Sequence, residues 1–451
     1  MANKGNIYVA DGHNNTIRKI TPDKVVSTFA GLSGTGSDDG LGAAARFNFP
    51  NGVAVDAADN LYIADVVNDT IRKIDSTGLV STLAGMPGIV GSADGKGSAA
   101  QFNLPRGMAV DSMGNVYVGD WMNNTIRKST PDGDVTTLAG AHSPAPPEHV
   151  NGIGSEARFN APYGVAVNSA GTLLYVADSQ SDTIRKITFT ADGEACVTDL
   201  AGNAAHPPGS DDGTGLNARF DMPAGIGLDS AGNLYVADNL NDTIRKITPD
   251  AVVTTLAGLA GYPNSVDATG SDARFRSPKD VSVDSAGNVY VSDSFNDSIR
   301  KITPDRKVTT LAGAPGRTGA LDGPGSLARF NQPAGTAIDK AGKLFLVDGT
   351  NSTIRVGVPA PPVIKSITNP DVVTAVAGSQ FVYQFQADGA QSLNAPDSVP
   401  GLAFFSPLSA IKGTPTAAGS YQIELSAMNA IGTTTGTLLL NVQPAPFVES
   451  V

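Results

Sequence analysis

In 451 residues the chain has one cysteine, one tryptophan and only five glutamates. A lone Cys196 excludes an internal disulfide and any zinc site built on cysteines. Its setting, Glu194-Ala195-Cys196-Val197, reads as an apolar strand in which it is a small buried hydrophobe. Glutamate serves helices, whereas aspartate and glycine serve turns. Of 43 acidic residues only positions 148, 156, 194, 424 and 449 are glutamate, beside 51 glycines and 29 prolines. That balance describes many short strands joined by tight turns, with little helix. Charge is also scarce, at 16%, and the net of -12 argues against nucleic acid, whose phosphates call for an excess of lysine and arginine. No stretch approaches the ~20 apolar residues of a membrane helix, so no membrane insertion is expected. The N-terminus lacks the basic start and apolar run of an export signal, and Met1 leads straight into a repeat. The expectation is a piece of a longer multidomain chain whose export signal lies upstream, rather than a cytoplasmic protein.

What the chain has in abundance is repetition. Seven times an aromatic residue, two small or apolar residues and an aspartate are followed, after a short gap, by Thr-Ile-Arg-Lys or a close variant. Arginines 18, 72, 127, 185, 245, 300 and 355 mark the copies, spaced 54, 55, 58, 60, 55 and 55 residues apart. Each copy carries four strand signals, shown by residues 52–56, 61–65, 70–74 and 80–84, with turn residues such as Asp56-Ala57-Ala58-Asp59-Asn60 and Ser76-Thr77-Gly78 between them. A four-stranded antiparallel meander that recurs with this period predicts an all-β propeller.

Pro50-Asn51-Gly52-Val53-Ala54-Val55-Asp56, then Leu61-Tyr62-Ile63-Ala64-Asp65 and the Asn68 to Ile71 segment, resemble the NHL repeat. The long units, with an Asp-Gly insertion ahead of an Ala-Arg-Phe box, are similar to a bacterial subgroup and to the teneurin propeller. The resemblance covers residues 1–358 and implies a fold more than an activity, because NHL propellers include protein-binding, RNA-binding and enzymatic members. The inner strand occurs six times, the second and third strands seven times. Seven blades use every strand and are favoured over six.

Residues 359–363 are a Pro-rich linker, and 364–444 alternate apolar and polar residues in strands such as Phe381-Val382-Tyr383-Gln384-Phe385 and Tyr421-Gln422-Ile423-Glu424-Leu425. They predict an Ig-like β-sandwich, with 445–451 as a tail. The run from Gly401 through Gly413-Thr414-Pro415 to Gly432 is similar to a bacterial Ig-like family, whose members act as spacers on secreted or surface proteins.

Two kinds of loop share one face of the propeller: the turn between strands two and three, and the long loop leading into the inner strand. Most long loops hold Asp-Gly and, seven residues on, Arg-Phe, pairing Asp39 with Arg46, Asp212 with Arg219, Asp267 with Arg274 and Asp322 with Arg329. One reading makes the aspartates calcium ligands; the other makes each an ion partner of its arginine, with the phenylalanine wedged between blades. The strand-end aspartates 11, 65, 120, 178, 238, 293 and 348 read as turn caps, since a catalytic group is needed once and a cap once per blade. The seven arginines read as inter-blade partners or a solvated face.

After each strand-end aspartate the frame holds while two residues vary: Gly12-His13, Val66-Val67, Trp121-Met122, Ser179-Gln180, Asn239-Leu240, Ser294-Phe295 and Gly349-Thr350. Val66, Val67, Trp121, Met122, Leu240 and Phe295 form a candidate apolar ligand-binding arc on the loop face, unless each tucks under a neighbouring loop. The inner strands, which read GVAVD, GMAVD, GVAVN, GIGLD, DVSVD and GTAID, offer no histidine or glutamate for a channel metal. His142, Glu148 and His149 form the one local group with zinc-ligand chemistry, in a Pro-rich loop that also reads as solvated. The expectation is a non-catalytic binding or adhesion scaffold, secreted or at the cell surface, with no cofactor apart from the calcium reading, and a protein or glycan partner. The alternatives are a metal-dependent propeller hydrolase or lyase, lactonase-like, and a purely structural array.

Overall fold

The computed structural model describes residues 35–141, 149–319 and 325–338, and the strands Ile7–Asp11, Thr16–Ile20, Val26–Gly31, Leu344–Asp348 and Thr353–Gly357, the latter mainly by their backbones. Beyond these it describes 363–364, 371–377, 379–384, 387–388, 392–395, 399–405, 410–429 and 432–444. Regular structure among these residues consists of strands and single turns of 3-10 helix. The chain divides into two compact units, Gly5–Val358 and Pro359–Val451.

In the first unit, Pro50–Val55, Leu61–Asp65, Thr70–Ile74 and Leu79–Ala84 pair antiparallel in sequence order, the expected meander. Four further sheets repeat it, with inner strands Pro105–Val110, Pro162–Val167, Pro223–Leu228 and Pro278–Val283. The sixth sheet runs Pro333–Ile338, Leu344–Asp348, Thr353–Gly357, Ile7–Asp11, Thr16–Ile20, Val26–Gly31. Each inner strand neighbours the next, and Pro333–Ile338 lies against Pro50–Val55, so the order is cyclic. The seven sheets expected are therefore six among the described residues. A seventh copy of strands two and three has no inner strand to build on, and Ile7–Asp11 instead pairs with Thr353–Gly357 and meets Leu344–Asp348 at Asp11 and Asp348.

Closing six strands into one ring demands close backbone approach. A Cβ on Gly52 would lie 1.9 Å from the Arg106 carbonyl oxygen, and one on Gly164 would lie 2.3 Å from that of Ala224. Only glycine fits there. In the fifth sheet Asp280 takes the equivalent place, with its carboxylate where a side chain on Gly225 would be, 1.8 Å from the built Cβ. Further out, the phenylalanine of the loop box does wedge between sheets: Phe102, in the Ala-Gln-Phe variant of the box, packs with Ala64, Ile71 and Ala84 of the first and Val116 and Val118 of the second. Each such ring contributes about 1.5–3 kcal/mol of burial. Short strands Gly40–Leu41, Gly95–Lys96, Gly152–Ile153 and Gly213–Thr214 pair with outer strands and cover their edges. Cys196 faces Ile153 in one of these pairings and is half-buried rather than buried as expected.

In the second unit, one sheet orders Asp371–Val376, Gly432–Gln443, Gly419–Asn429 and Ser392–Asn394, and another orders Phe381–Gln384, Ala410–Gly413 and Leu402–Phe405. Phe381, Leu402 and Ile411 of the second share one core with Ile423, Leu425, Leu438 and Leu440 of the first. Linker residues 359–362 and the tail 445–451 lie outside the described residues.

Candidate binding site at the channel mouth

The repeated charges are scaffold. Asp120 ends the second strand of its sheet; its Oδ1 accepts the Asn103 backbone N–H at 2.8 Å, and its Oδ2 accepts from Asn123 at 2.8 Å and from Arg127 Nη1 at 2.9 Å. Arg127 lies over the Phe102 ring and also donates to the Gln101 and Ala93 carbonyls and, through Nη2, to Asp94 at 2.8 Å. Arg72, Arg185, Arg245 and Arg300 repeat this arrangement and, like Arg127, are fully buried. They form neither a solvated stripe nor inter-blade pairs. Each fastens its own sheet to the loop that enters it. Burial pushes Asp65, Asp120, Asp238 and Asp293 up to about 6, against the pull of their arginines.

The loop aspartates therefore pair differently from either reading of the sequence. Asp39, Asp212 and Asp267 hold Arg72, Arg245 and Arg300 at 2.7–2.8 Å. Arg46 and Arg274 donate to loop carbonyls instead. These aspartates are dispersed one to a sheet, and no three histidine, cysteine, aspartate or glutamate side chains gather as a metal site among the described residues. Asp322 lies outside those residues, as do His142 and Glu148. The side chains of Asp11, Asp348, Arg18 and Arg355 and the gap residues Gly12-His13 and Gly349-Thr350 are likewise outside them.

The third sheet departs from the pattern and repairs itself. Asn151 stands where the other loops carry aspartate, and the lost carboxylate reappears on the outer strand as Asp199, where its neighbours have Thr82, Thr137, Thr255 and Thr310. Asp199 lies 2.9 Å from Arg185 Nε and accepts from Asn151 at 3.1 Å. His149 joins them, 2.8 Å from Asp199 and 3.3 Å from Asp178. Burial pulls the imidazole pKa down, but hydrogen bonds to the two carboxylates outweigh it and the net shift is upward. Its contribution to stability is thus complete below the unfolded histidine value and lost as pH rises through the folded one. Asp199→Thr should cost roughly 1.5–3 kcal/mol, the worth of hydrogen bonds to charged groups. Asn151→Asp in the same chain should restore most of it, a coupling that urea unfolding of the double-mutant cycle measures.

The variable gap residues split by position. Val66 is 2% exposed, whereas Val67, Met122, Leu240 and Phe295 are 46, 48, 50 and 45% exposed. In each case the second residue's N–H donates to a loop carbonyl, that of Asn48, Asn103, Asp221 or Arg276, which leaves its side chain pointing out. The first residue turns inward: Asn239 donates to the Pro278 carbonyl and Ser179 to that of Pro223, both at the start of the next inner strand. Val66 is thereby removed from the exposed arc, and Gln180 interrupts it. Trp121, also a first residue, is half-buried and stacks on the Arg106 guanidinium, 4.1 Å from its ring centroid.

Arg106 leads to a site that the sequence reading passed over. It is the second residue of its inner strand, and the six such positions are Asn51, Arg106, Tyr163, Ala224, Lys279 and Ala334. Because Pro50 pairs with Asp65 and Pro105 with Asp120, these positions lie at the loop-face end of the channel, beside the turns just described. Arg106 sits over the Tyr163 ring at 5.2 Å as well, and the Tyr163 hydroxyl donates to Asn51 Oδ1 at 2.9 Å. Asn51 is 1% exposed, and its Nδ2 has no partner. Burial and the nearby Arg106 pull Lys279 down to about 8. Burial pushes Asp280 up to about 7, although its Oδ2 accepts the Thr336 N–H. Below the mouth, Val53, Met108, Val165 and Ile226 narrow the channel to a cavity of about 40 Å³. The second-position residues stand one place before the inner-strand glycine, or before Asp280 in the fifth sheet; the preceding proline holds while they vary, the same signal that marks Trp121.

Residues 92–269 match the family model of the Teneurin NHL domain. The chain is 28% identical over 342 residues to NHL repeat-containing protein 2 of Bos taurus, covering 68% of this chain and 46% of that protein. It is 27% identical over 284 residues to human Teneurin-4, covering 54% of this chain and 10% of that one. These matches support repeats similar to the NHL type. Among solved structures, a protein of unknown function from Bacteroides thetaiotaomicron superposes with a TM-score of 0.54 at 22% identity, covering 76% of this chain and 81% of that chain. An auxiliary nutrient binding protein from the same organism gives 0.53 at 17%, covering 77% and 84%. These likenesses support an NHL propeller fold. The chain spans about half or less of the length of the curated relatives it matches.

Proposed function

We propose that the first unit is a six-bladed NHL propeller acting as a non-catalytic binding scaffold, with its ligand seated over the channel mouth on the loop face. The second unit serves as an Ig-like spacer, and the natural setting is the cell surface or beyond. The observation that supports this reading is the stack of Trp121, Arg106 and Tyr163 at the mouth. The cavity beneath, of about 40 Å³, is small, so the body of a ligand of ordinary size rests on the mouth. Its neighbours there are the exposed turn residues Met122, Val67, Leu240 and Phe295, suited to a protein or glycan surface. An array of peptides and glycans tests this: wild-type chain should give ligands that Trp121→Ala loses while both unfold at the same temperature. Ligands retained unchanged by that variant contradict the reading.

A second reading, a hydrolase or lyase, draws on Lys279 and Asp280, both of which change charge near neutral pH in the same mouth, the condition for acid–base work. It would need no metal. Turnover of an array ligand, abolished by Asp280→Asn, would favour it over the scaffold.

A further inference from the structure

Arg106 and Lys279 are two cations that occupy the same second position of their inner strands at the channel mouth, where the arginine also disfavours the charge on the lysine. No carboxylate among the described residues lies within ion-pair distance of either; the ion pairs of the propeller belong to the scaffold arginines, to His149 and to surface pairs. Two like charges held together and partly removed from water are costly unless an anion joins them. The rest of the molecule makes this placement pointed, because its net charge is -12. Next to them Asn51, almost wholly buried, lines the channel with an amide Nδ2 that has no acceptor. Its Oδ1 is already taken by the Tyr163 hydroxyl, which fixes the amide so that the donor is left for a ligand.

Resting on the loop-face reading above, we propose that the mouth binds the carboxylate group of an organic anion, held by Asn51 Nδ2 with Arg106 and Lys279 as counter-charges. The cavity sets the head group. Its volume of about 40 Å³ favours a small head group such as a carboxylate. Trp121, stacked on Arg106, supplies an apolar flank for the body that carries the carboxylate.

Trp121 is the sole tryptophan, so its fluorescence reports on this mouth alone. The full chain is titrated with benzoate, with benzamide as the uncharged isostere, and with inorganic phosphate. Benzoate should give a saturable change at least about tenfold tighter than benzamide, in line with the strength of charge-assisted hydrogen bonds. Lys279→Gln, checked for unchanged thermal unfolding, should weaken benzoate and leave benzamide unaffected. Equal affinity for benzoate and benzamide overturns the anion site while leaving the loop-face reading intact. Phosphate binding tighter than benzoate overturns the carboxylate assignment. No saturable response to any of the three overturns the inference outright, whereas the loop-face reading falls only if the array ligands ignore Trp121→Ala.

Discussion

Arg127→Met should destabilise the propeller by about 3–5 kcal/mol, the cost of breaking a buried ion pair by removing one partner. Methionine fills much of the same space above Phe102, so the loss is electrostatic rather than a cavity. It leaves the Asp120 carboxylate, wholly buried, with only Asn123 and the Asn103 N–H, and strips the Gln101 and Ala93 carbonyls of their donor. Arg127→Lys should recover little, because a single ammonium cannot span Asp120, Asp94 and two carbonyls as the guanidinium fork does. The pH dependence also grows in the variant. Burial already raises Asp120 to about 6, and Arg127 is the largest force opposing that rise. Without the arginine the value climbs further, so the folded state holds a proton that the unfolded chain releases near 3.8. Stability of the variant must then fall as pH rises through the folded value and improve as pH is lowered from 7 toward 5. Urea unfolding at several pH values measures both effects.

Affinity for benzoate should drop steeply between pH 6 and 9, the second large effect. Asp280, pushed up to about 7 by burial, is neutral below that pH and becomes an anion facing the ligand above it. Lys279, at about 8, is a cation below and neutral above. The Tyr163 hydroxyl, raised by its burial, keeps its proton. Both titrations thus act in one direction. Each loss of a favourable charge costs on the order of tenfold, and the two together about 100-fold. Lys279→Gln should remove the upper part of this fall and Asp280→Asn the lower part, as isothermal titration at fixed ionic strength would show. An affinity that stays level or increases across the range contradicts the placement of these two groups.

Local rules made the fold readable. The strands at 61–65 and 70–74 lie where period-two alternation and turn residues put them, since neighbours in sequence determine a meander. The wedge role of Phe102 followed from its size and spacing. What escaped were consequences of ring closure. Spacing pairs Asp39 with Arg46, seven residues away, but it lies against Arg72, 33 residues away, because the loop folds back over the sheet it enters. Six inner strands exhaust the ring, a count that strands two and three, present seven times, obscured. Trp121 stands out by varying within a fixed frame, and the same test on the residue after each inner-strand proline finds Arg106, Tyr163 and Lys279. Their meeting at one mouth depends on six strands from separate repeats converging, which spacing along the chain does not express.

Collisional quenching of Trp121 by iodide and by caesium, at matched ionic strength and pH 6, interrogates the local charge at the mouth most directly. An electropositive mouth formed by Arg106 and Lys279 predicts that iodide quenches more efficiently than caesium, against the net charge of -12, and that Lys279→Gln narrows the difference. Caesium quenching that exceeds iodide would show that the mouth shares the acidic character of the rest of the surface.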